Sequence, residues 1–352
     1  MQVSIVLPTL NEKENIEIII PLIASVLEKD DYQYEIIVVD DNSTDGTAEA
    51  ARAFADRYRI FVHVREHEKG LASAAIYGFS KATGDVLVVM DSDMSHPVDK
   101  LHDMISPILQ NICDITVGSR HIPGGGCDSW PLIRKIISRG AGSLAFGITK
   151  LTDPTSGYMG FKRSLLKNLD LSPVGWKIVL EVVTRSNGKV LEVPIIFKDR
   201  IHGKSKLTSL VQIQYLLHLF KLYDFKLPNL WQIVKFCLVG SSGLIIDSIV
   251  LASLVELLYF DPRVAVCFSF IAAVAWNYLL DHSWTFRSRR KVSLSLFISF
   301  FSVCVVGLLI RVGVMHLLLT KTTIYYLVAN FLGVVVSTSL NFVGSKFLVF
   351  KK

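Results

Sequence analysis

Hydrophobic and polar positions alternate in two different ways along this chain. In the first part, short apolar runs at 3–7, 35–39, 60–64, 85–90 and 114–117 have the length of buried strands. Helical patterns at 13–27 and 46–58 separate the early ones. Strand–helix alternation predicts a parallel α/β sheet that binds ligands at the carboxyl ends of its strands. Further on, four apolar stretches at 233–258, 264–280, 294–319 and 324–349 lie near or above the ~18–20 residues that span a bilayer as a helix. Buried core helices are the alternative reading, but too little polar sequence surrounds these stretches to wrap them. The pattern divides the chain into a catalytic α/β domain at 1–206, a linker with an interfacial helix at 207–230, and an all-α four-helix transmembrane domain at 231–352.

The apolar part repeats at an offset of 64, which places Phe236 on Phe300, Gly243 on Gly307, Leu244 on Leu308, Val264 on Val328 and Ala265 on Ala329. The unit is a helical hairpin used twice in the same orientation. Arg287, Arg289, Arg290 and Lys291 fill the middle loop and Lys351 and Lys352 lie past the last span, whereas the hairpin tips hold only Arg263 and Lys321. By the positive-inside rule the middle loop, the end of the chain and the first domain are cytoplasmic. The same offset sets Asp247 on Arg311. Charges at that depth are costly, so the two are expected to pair across the repeats; separate snorkelling is the alternative. Within 207–225, Leu210, Ile213, Leu217 and Phe220 recur at helical spacing. This fits an amphipathic helix in the membrane interface, or a helix packed on the catalytic domain; its position between the two domains favours the interface.

Composition sharpens this division. The 352 residues are 51% hydrophobic and 19% charged, against roughly 25% charged in an ordinary soluble domain. A single soluble enzyme and a disordered chain are both excluded. The net charge of +6 suits a membrane surface or phosphorylated substrates. It is too dispersed for a nucleic-acid binder. The five cysteines show no metal-ligand or disulfide spacing. The opening MQVSIVLPTLNE enters a strand at once, so no signal peptide is expected.

Polar residues cluster where the strands end: 8–12 after the first, 40–46 after the second, and Asp91-Ser92-Asp93 after the fourth. Three acidic rims repel one another unless a cation or donor-rich ligand sits among them. In extended chain, residues two apart point the same way, so Asp91 and Asp93 can face one site. Such oxygen ligands suit Mg²⁺ or Mn²⁺, which bind one or two carboxylates plus substrate phosphates. A DxD in isolation is a weak signal; its place at the end of a buried strand strengthens it.

The segments VSIVLPTLNE, YEIIVVDDNSTDGT, KGLASAAIYGF, GDVLVVMDSDMSHP, DITVGSR and RIHGKSKL together resemble the inverting GT-A (Rossmann-like) glycosyltransferases of family 2, and more narrowly the dolichol-phosphate mannose synthases, over about residues 1–210. KFCLVG and NYLLDHSWTF resemble the GtrA-like four-helix membrane domain. The resemblance implies transfer of mannose from GDP-mannose to dolichyl (polyprenyl) phosphate. It implies that Pro8, Glu12, Val39 and Asp41 line the nucleoside pocket, and that Asp91, Ser92 and Asp93 hold ribose, metal and diphosphate. Arg200 would bind the diphosphate, Arg120, Arg134 and Ser138 the lipid phosphate, and Lys177 and Glu181 the sugar or the loop. Ser95 stands where the family often has a metal-coordinating glutamine, Leu10 replaces an aromatic residue, and His202 and Lys204 alter the charge of the phosphate loop.

Plainer readings stand beside these. Arg120 and Arg134, taken alone, read as surface residues or structural ion-pair partners. Gly124–Gly126 read as a flexible loop and 153–157 as a turn. His96, His102 and His218 lack metal-ligand spacing and carry no assigned chemistry. An acceptor phosphate is already an anion, so no strong general base is required. The alternatives are a polyprenyl-phosphate glucosyl or hexosyl transferase using a UDP-sugar, and a lipid-linked sugar flippase or scaffold.

Overall fold

The computed structural model describes residues 2–128, 132–198 and 209–351. The chain forms two compact units, Met1–Lys226 and Leu227–Lys352.

In the first unit, strands β1 (Gln2–Thr9), β2 (Gln33–Asp40), β3 (Ile60–Val64), β4 (Val86–Val89) and β5 (Ile115–Ser119) alternate with helices α1 (Lys13–Lys29), α2 (Thr47–Arg52), α3 (Leu71–Lys81) and α4 (Leu101–Leu109). Then follow β6 (Gly126–Cys127), α5 (Leu132–Ser143), β7 (Met159–Lys162), α6 (Ile178–Arg185), β8 (Val190–Pro194), β9 (Ile196–Phe197) and α7 (Ser209–Lys226). Side chains along a strand point to opposite faces in turn, and both faces of this sheet are covered. Val3, Ile5 and Leu7 pack with Ile16, Ile19 and Ile23 of α1. Val6 packs on the other side with Ala75 and Phe79 of α3 and Val179 of α6. Continuous apolar runs are the sequence signature of such doubly covered strands.

The seven-stranded sheet has the order β3-β2-β1-β4-β7-β5-β8. It is mixed, not parallel as the alternation suggested. β7 is antiparallel to both β4 and β5. Four residues, Met-Gly-Phe-Lys, are too short to announce a strand. What makes them one is the slot between two strands that already exist. The carboxyl ends of β1, β2 and β4 nevertheless meet on one rim, and that rim carries the site.

In the second unit, α8 (Pro228–Ala252) pairs with α9 (Pro262–Leu280), and α10 (Leu294–Lys321) with α11 (Tyr326–Gly344). Among the described residues four helices are long and apolar enough to cross a membrane: Pro228–Leu257, Pro262–Thr285, Leu294–Lys321 and Val328–Val349. The repeat extends to local geometry. α9 and α11 are each followed by a π-helical turn, Asp281–Thr285 and Ser345–Val349, and these turns lie 64 residues apart. Gly243 packs on the Asn277 side chain as Gly307 packs on Asn341; a Cβ at either glycine would collide with the amide. Equivalent residues Phe236 and Phe300 sit in one aromatic cluster with Phe286 and Phe350. Leu244 and Leu308 both turn outward.

The expected Asp247–Arg311 pair does not form. The Arg311 guanidinium donates to Asn330 Oδ1 at 3.2 and 2.7 Å, within its own hairpin. Among the described residues Asp247 makes no ion pair. A neutral amide on the adjacent helix meets the desolvated cation before a carboxylate of the other hairpin can.

Candidate active site

The turn after β4 is closed by its own backbone. The Asp91 N–H donates to His96 Nδ1 at 3.0 Å, and Asp93 Oδ1 accepts the Ser95 N–H at 3.1 Å. Met94 supplies the reversal at φ 63°. His96 is buried, stacked on Tyr158 at 5.2 Å and edge-on to Phe197 at 5.6 Å. Burial lowers its pKa, against the pull of Asp91 and Asp93. The ring is thus a neutral acceptor that holds the turn, a role its sequence context did not announce.

A cavity of about 530 Å³ opens beside this turn. Pro8, Leu10 and Glu12 line it from the end of β1, Asp41 from the end of β2, and Asp91, Ser92 and Asp93 from the end of β4. Lys69, Gly70, Leu71 and Ser73 add the start of α3, and Trp176 and Gln214 the opposite wall. Asp41 is held from two sides. Arg65 donates to its Oδ1 from Nε at 2.7 Å and from Nη2 at 2.5 Å, and the Gly70 N–H donates to its Oδ2 at 2.7 Å. Gly70 sits at φ 141°, which L side chains rarely adopt. Arg65 is buried and is a member of the site that pattern reading missed, because its partner lies 24 residues away.

The expected mutual repulsion of three acidic rims is largely resolved internally. Asp40 accepts from the Ser43 N–H and hydroxyl and from Thr9, and Asp45 from Thr47 and the Lys13 N–H. Asp41 is held by Arg65, and Asp91 and Asp93 line the same cavity from the end of β4. Among the described residues no cluster of three or more His, Cys, Asp or Glu could form a metal site. Two carboxylates beside a nucleotide-sized cavity fit Mg²⁺ or Mn²⁺ shared with substrate phosphates, not an all-protein cage.

A second cavity of about 360 Å³ meets the first at Leu71, Asp91, Trp176 and Val211. Its polar part holds His96, Arg120, Ser138, Thr155 and Lys177; its apolar part holds Ile137, Ala141, Leu144 and Leu216. Arg120 is paired here with Asp153, Nε to Oδ2 at 2.6 Å and Nη2 to Oδ1 at 2.7 Å, and also donates to Thr155 Oγ1 at 2.8 Å. Burial alone would raise the Asp153 carboxyl, but the Arg120 hydrogen bonds and charge hold it down at about 2. The Lys177 ammonium donates to the Thr155 carbonyl at 2.7 Å and lies over the Trp176 ring. Burial, with the Arg120 cation close by, lowers its pKa to about 8.

Several expectations need correction. Val39 is fully buried in the apolar layer and lines neither cavity. Ser95 is fully buried, its Oγ has no hydrogen-bond partner among the described residues, and it too lines neither cavity, so the geometry does not support it as a metal ligand. Glu181 lines neither. It is fully buried, with Oε2 on His218 Nε2 at 2.6 Å and Oε1 accepting from Arg185 Nε at 2.6 Å and the Ser172 N–H at 3.0 Å. It fastens α7 rather than touching substrate. Arg120 reaches the second cavity, but as half of a buried ion pair. Arg200, His202 and Lys204 lie outside the described residues, as does the Arg134 side chain, although Arg134 falls on α5.

α7 does more than lie at an interface. Tyr215, Leu219 and Leu222 pack on Ala145, Ile148 and Leu180. The Tyr215 hydroxyl donates to the Ala141 carbonyl at 2.6 Å. Val211 and Gln214 wall the first cavity, and Val211, Gln212 and Tyr215 the second. The opposite side leaves Leu210, Ile213, Leu217 and Phe220 exposed. The helix is apolar on two sides, which is why its periodicity supported both readings.

Two adjoining cavities that share an aspartate at the carboxyl rim of an α/β sheet can hold two substrates side by side, as group transfer requires. Comparison with known proteins makes the class specific. Residues 4–170 match glycosyl transferase family 2, and residues 235–350 match the GtrA/DPMS transmembrane domain. The fold resembles that of mannosyl-3-phosphoglycerate synthase from Rubrobacter xylanophilus, with a TM-score of 0.51 and 20% identity over 63% of this chain and 74% of that one. A dolichol-phosphate mannosyltransferase from Pyrococcus furiosus is 36% identical over 349 residues, 97% of each chain. One from Saccharomyces cerevisiae is 36% identical over 238 residues, covering 64% of this chain and 88% of the relative. The chain is thus a glycosyltransferase and a membrane protein, and it belongs to glycosyl transferase family 2, in the group of the dolichol-phosphate mannosyltransferases.

Proposed function

We propose that this enzyme transfers mannose from GDP-mannose to dolichyl or another polyprenyl phosphate at the cytoplasmic membrane face, with inversion at the anomeric carbon. The observation that carries this reading is the meeting of the two cavities at Asp91, one lined by the acids of the strand ends, the other by Arg120 and Lys177 together with apolar side chains. Supporting it, the relatives that match over most of their length are named dolichol-phosphate mannosyltransferases. The exposed side of α7, with Ile136 and Phe146 of the same unit, supplies apolar surface for contact with the bilayer that holds the acceptor.

In this reading Pro8, Glu12 and Asp41 hold the nucleoside, with Arg65 orienting Asp41. Asp91 and Asp93 would hold Mg²⁺ or Mn²⁺ together with the diphosphate, and Arg200 would bind the diphosphate. When bound, the divalent ion neutralises charge on the departing nucleoside diphosphate. Lys177, Ser138 and Arg134 draw in the acceptor phosphate, with Arg120 and Asp153 forming the rigid base of that pocket. The acceptor oxygen attacks the anomeric carbon, the sugar–phosphate bond breaks, and the electron pair leaves with the diphosphate. The residues orient the two anions in line and shield their charges. The cytoplasmic orientation belongs to the same proposal, on the strength of the loop charges.

Incubating the full chain in lipid nanodiscs with a polyprenyl phosphate and either labelled GDP-mannose or labelled UDP-glucose tests this directly. Label should enter the lipid fraction from GDP-mannose, and only with a divalent cation. Transfer from UDP-glucose alone would replace the reading with the glucosyl alternative. Movement of lipid-linked sugar without transfer would replace it with the flippase.

A pH profile tests Lys177. With its pKa at about 8, the cation is present below that pH and lost above it. The kcat/KM for the lipid phosphate should therefore fall as pH rises through 8. Lys177→Arg, whose guanidinium stays charged, should remove that descending limb. An unchanged limb would exclude Lys177 as its source.

A further inference from the structure

The second unit contains a cavity lined by none of the residues assigned to transfer. Arg287, Ser288, Arg289, Arg290, Phe350 and Lys351 line an open cavity of about 640 Å³ at the ends of the apolar spans, with the four cations exposed and Phe350 buried. Four of its six lining residues are cations and none is a carboxylate.

The repeat explains how it is built. At the offset of 64, Phe286 is equivalent to Phe350, and Arg287 to Lys351. The two phenylalanines stack at 4.9 Å with their planes 21° apart, both buried. Each copy of the repeat thus delivers an aromatic residue followed by a cation to the same point. The remaining wall is a pinned loop. The Ser288 N–H donates to the His282 carbonyl at 2.9 Å, and His282 Nε2 donates to the Arg290 carbonyl at 2.7 Å. Arg287 stands at φ 46°, a left-handed conformation that a side-chain-bearing residue keeps only where its surroundings impose it. Solvated topogenic charge needs neither a fixed loop nor an aromatic floor. Arg289, Arg290 and Lys351 bring like charges to one cavity, and an anion with several acceptor oxygens relieves their repulsion.

We propose that this pocket at the junction of the two repeats binds the phosphate headgroup of an anionic bilayer phospholipid. Position selects a lipid over free phosphate. Spans Pro262–Thr285, Leu294–Lys321 and Val328–Val349 all reach this end, so the cations stand where headgroups lie, and the acyl chains can follow the outward-facing apolar side chains. Basic pockets between membrane helices recognise headgroups in this way.

The test uses the full chain, purified in detergent and titrated with phosphatidylglycerol, with phosphatidylcholine as the neutral control and bound lipid counted by native mass spectrometry. Arg290→Gln combined with Lys351→Gln removes two cations and leaves Arg287, Arg289 and Lys291 to orient the chain. Saturable binding of phosphatidylglycerol should weaken about 10- to 30-fold in this variant. The charge-keeping exchange Arg290→Lys with Lys351→Arg should bind as the parent does, which separates loss of charge from loss of fold. Equal retention by the neutral variant would overturn the proposal, as would binding that never saturates. Displacement of the lipid by millimolar inorganic phosphate, or saturable binding of a polyprenyl phosphate but not of phosphatidylglycerol, would also overturn it by assigning the pocket to another ligand.

Discussion

Asp93→Asn should lower mannosyl transfer by about three orders of magnitude while leaving the catalytic unit folded. The side chain is 3% exposed, and its Oδ1 accepts the Ser95 N–H at 3.1 Å. Asparagine has the same shape and keeps an oxygen for that N–H, so the turn survives. What is lost is a formal charge facing the cavity where a divalent ion and a diphosphate would meet. A metal-bound leaving group is worth several kcal/mol in the transition state, and each 1.36 kcal/mol is tenfold in rate. Initial rates of label transfer at saturating Mn²⁺ read the effect. Calorimetric titration with GDP, with and without the metal, separates it from loss of nucleotide binding. Transfer within tenfold of the parent would remove Asp93 from the metal.

Asp153→Ala should have the largest effect on stability. Asp153 is 0% exposed and the Arg120 side chain 7% exposed, and the two are joined by paired hydrogen bonds. Removing the carboxylate takes the paired hydrogen bonds and the adjacent charge from a buried guanidinium, at a cost of about 3–5 kcal/mol. For a unit of this size the melting temperature should drop on the order of 10 °C. The pair also sets a pH dependence. A carboxyl held at about 2 when folded, against about 3.9 in an unfolded chain, contributes stability that is complete above the unfolded value. That contribution is lost as pH falls toward the folded value. Asp153→Asn, which cannot ionise, should flatten that part of the stability profile. Thermal melts between those two pH values check both effects. An unshifted melt for Asp153→Ala would mean that the pair is solvated rather than buried.

How much of this could be read in advance depended on the distance over which the cause acts. The Asp91–Asp93 rim was legible because a buried run followed directly by acids is a local signal, although the two acids lie in a turn and not in the extended chain whose period-two alignment was expected. The hairpin repeat was legible for a similar reason, since Gly243 and Gly307 must both clear an asparagine, and both copies end in the same aromatic cluster. The antiparallel β7 was not legible, because four residues hold no periodicity and their slot is made by β4 and β5. Nor was the partner of Arg120, 33 residues away, although its plainer reading as an ion-pair residue holds, or the work of Glu181, whose histidine lies 37 residues away. In both cases the residue looked like part of the site, and the fold has given it a structural partner as well or instead. His96 went unread for the opposite reason. Its chemistry is a hydrogen bond to a backbone N–H, which no motif records.

By itself the sequence determined the two kinds of layer, the acids at the strand ends, the duplicated hairpin and the position of the basic loop, because each of these is a relation between near neighbours repeated along the chain. Only the tertiary structure decided which acids are already neutralised, that α7 walls both cavities, that Arg311 meets Asn330 rather than Asp247, and that Phe286 stacks on Phe350. Those depend on which side chains arrive first at a desolvated charge or an unfilled apolar face, and arrival is settled by packing across the fold rather than by order along the chain.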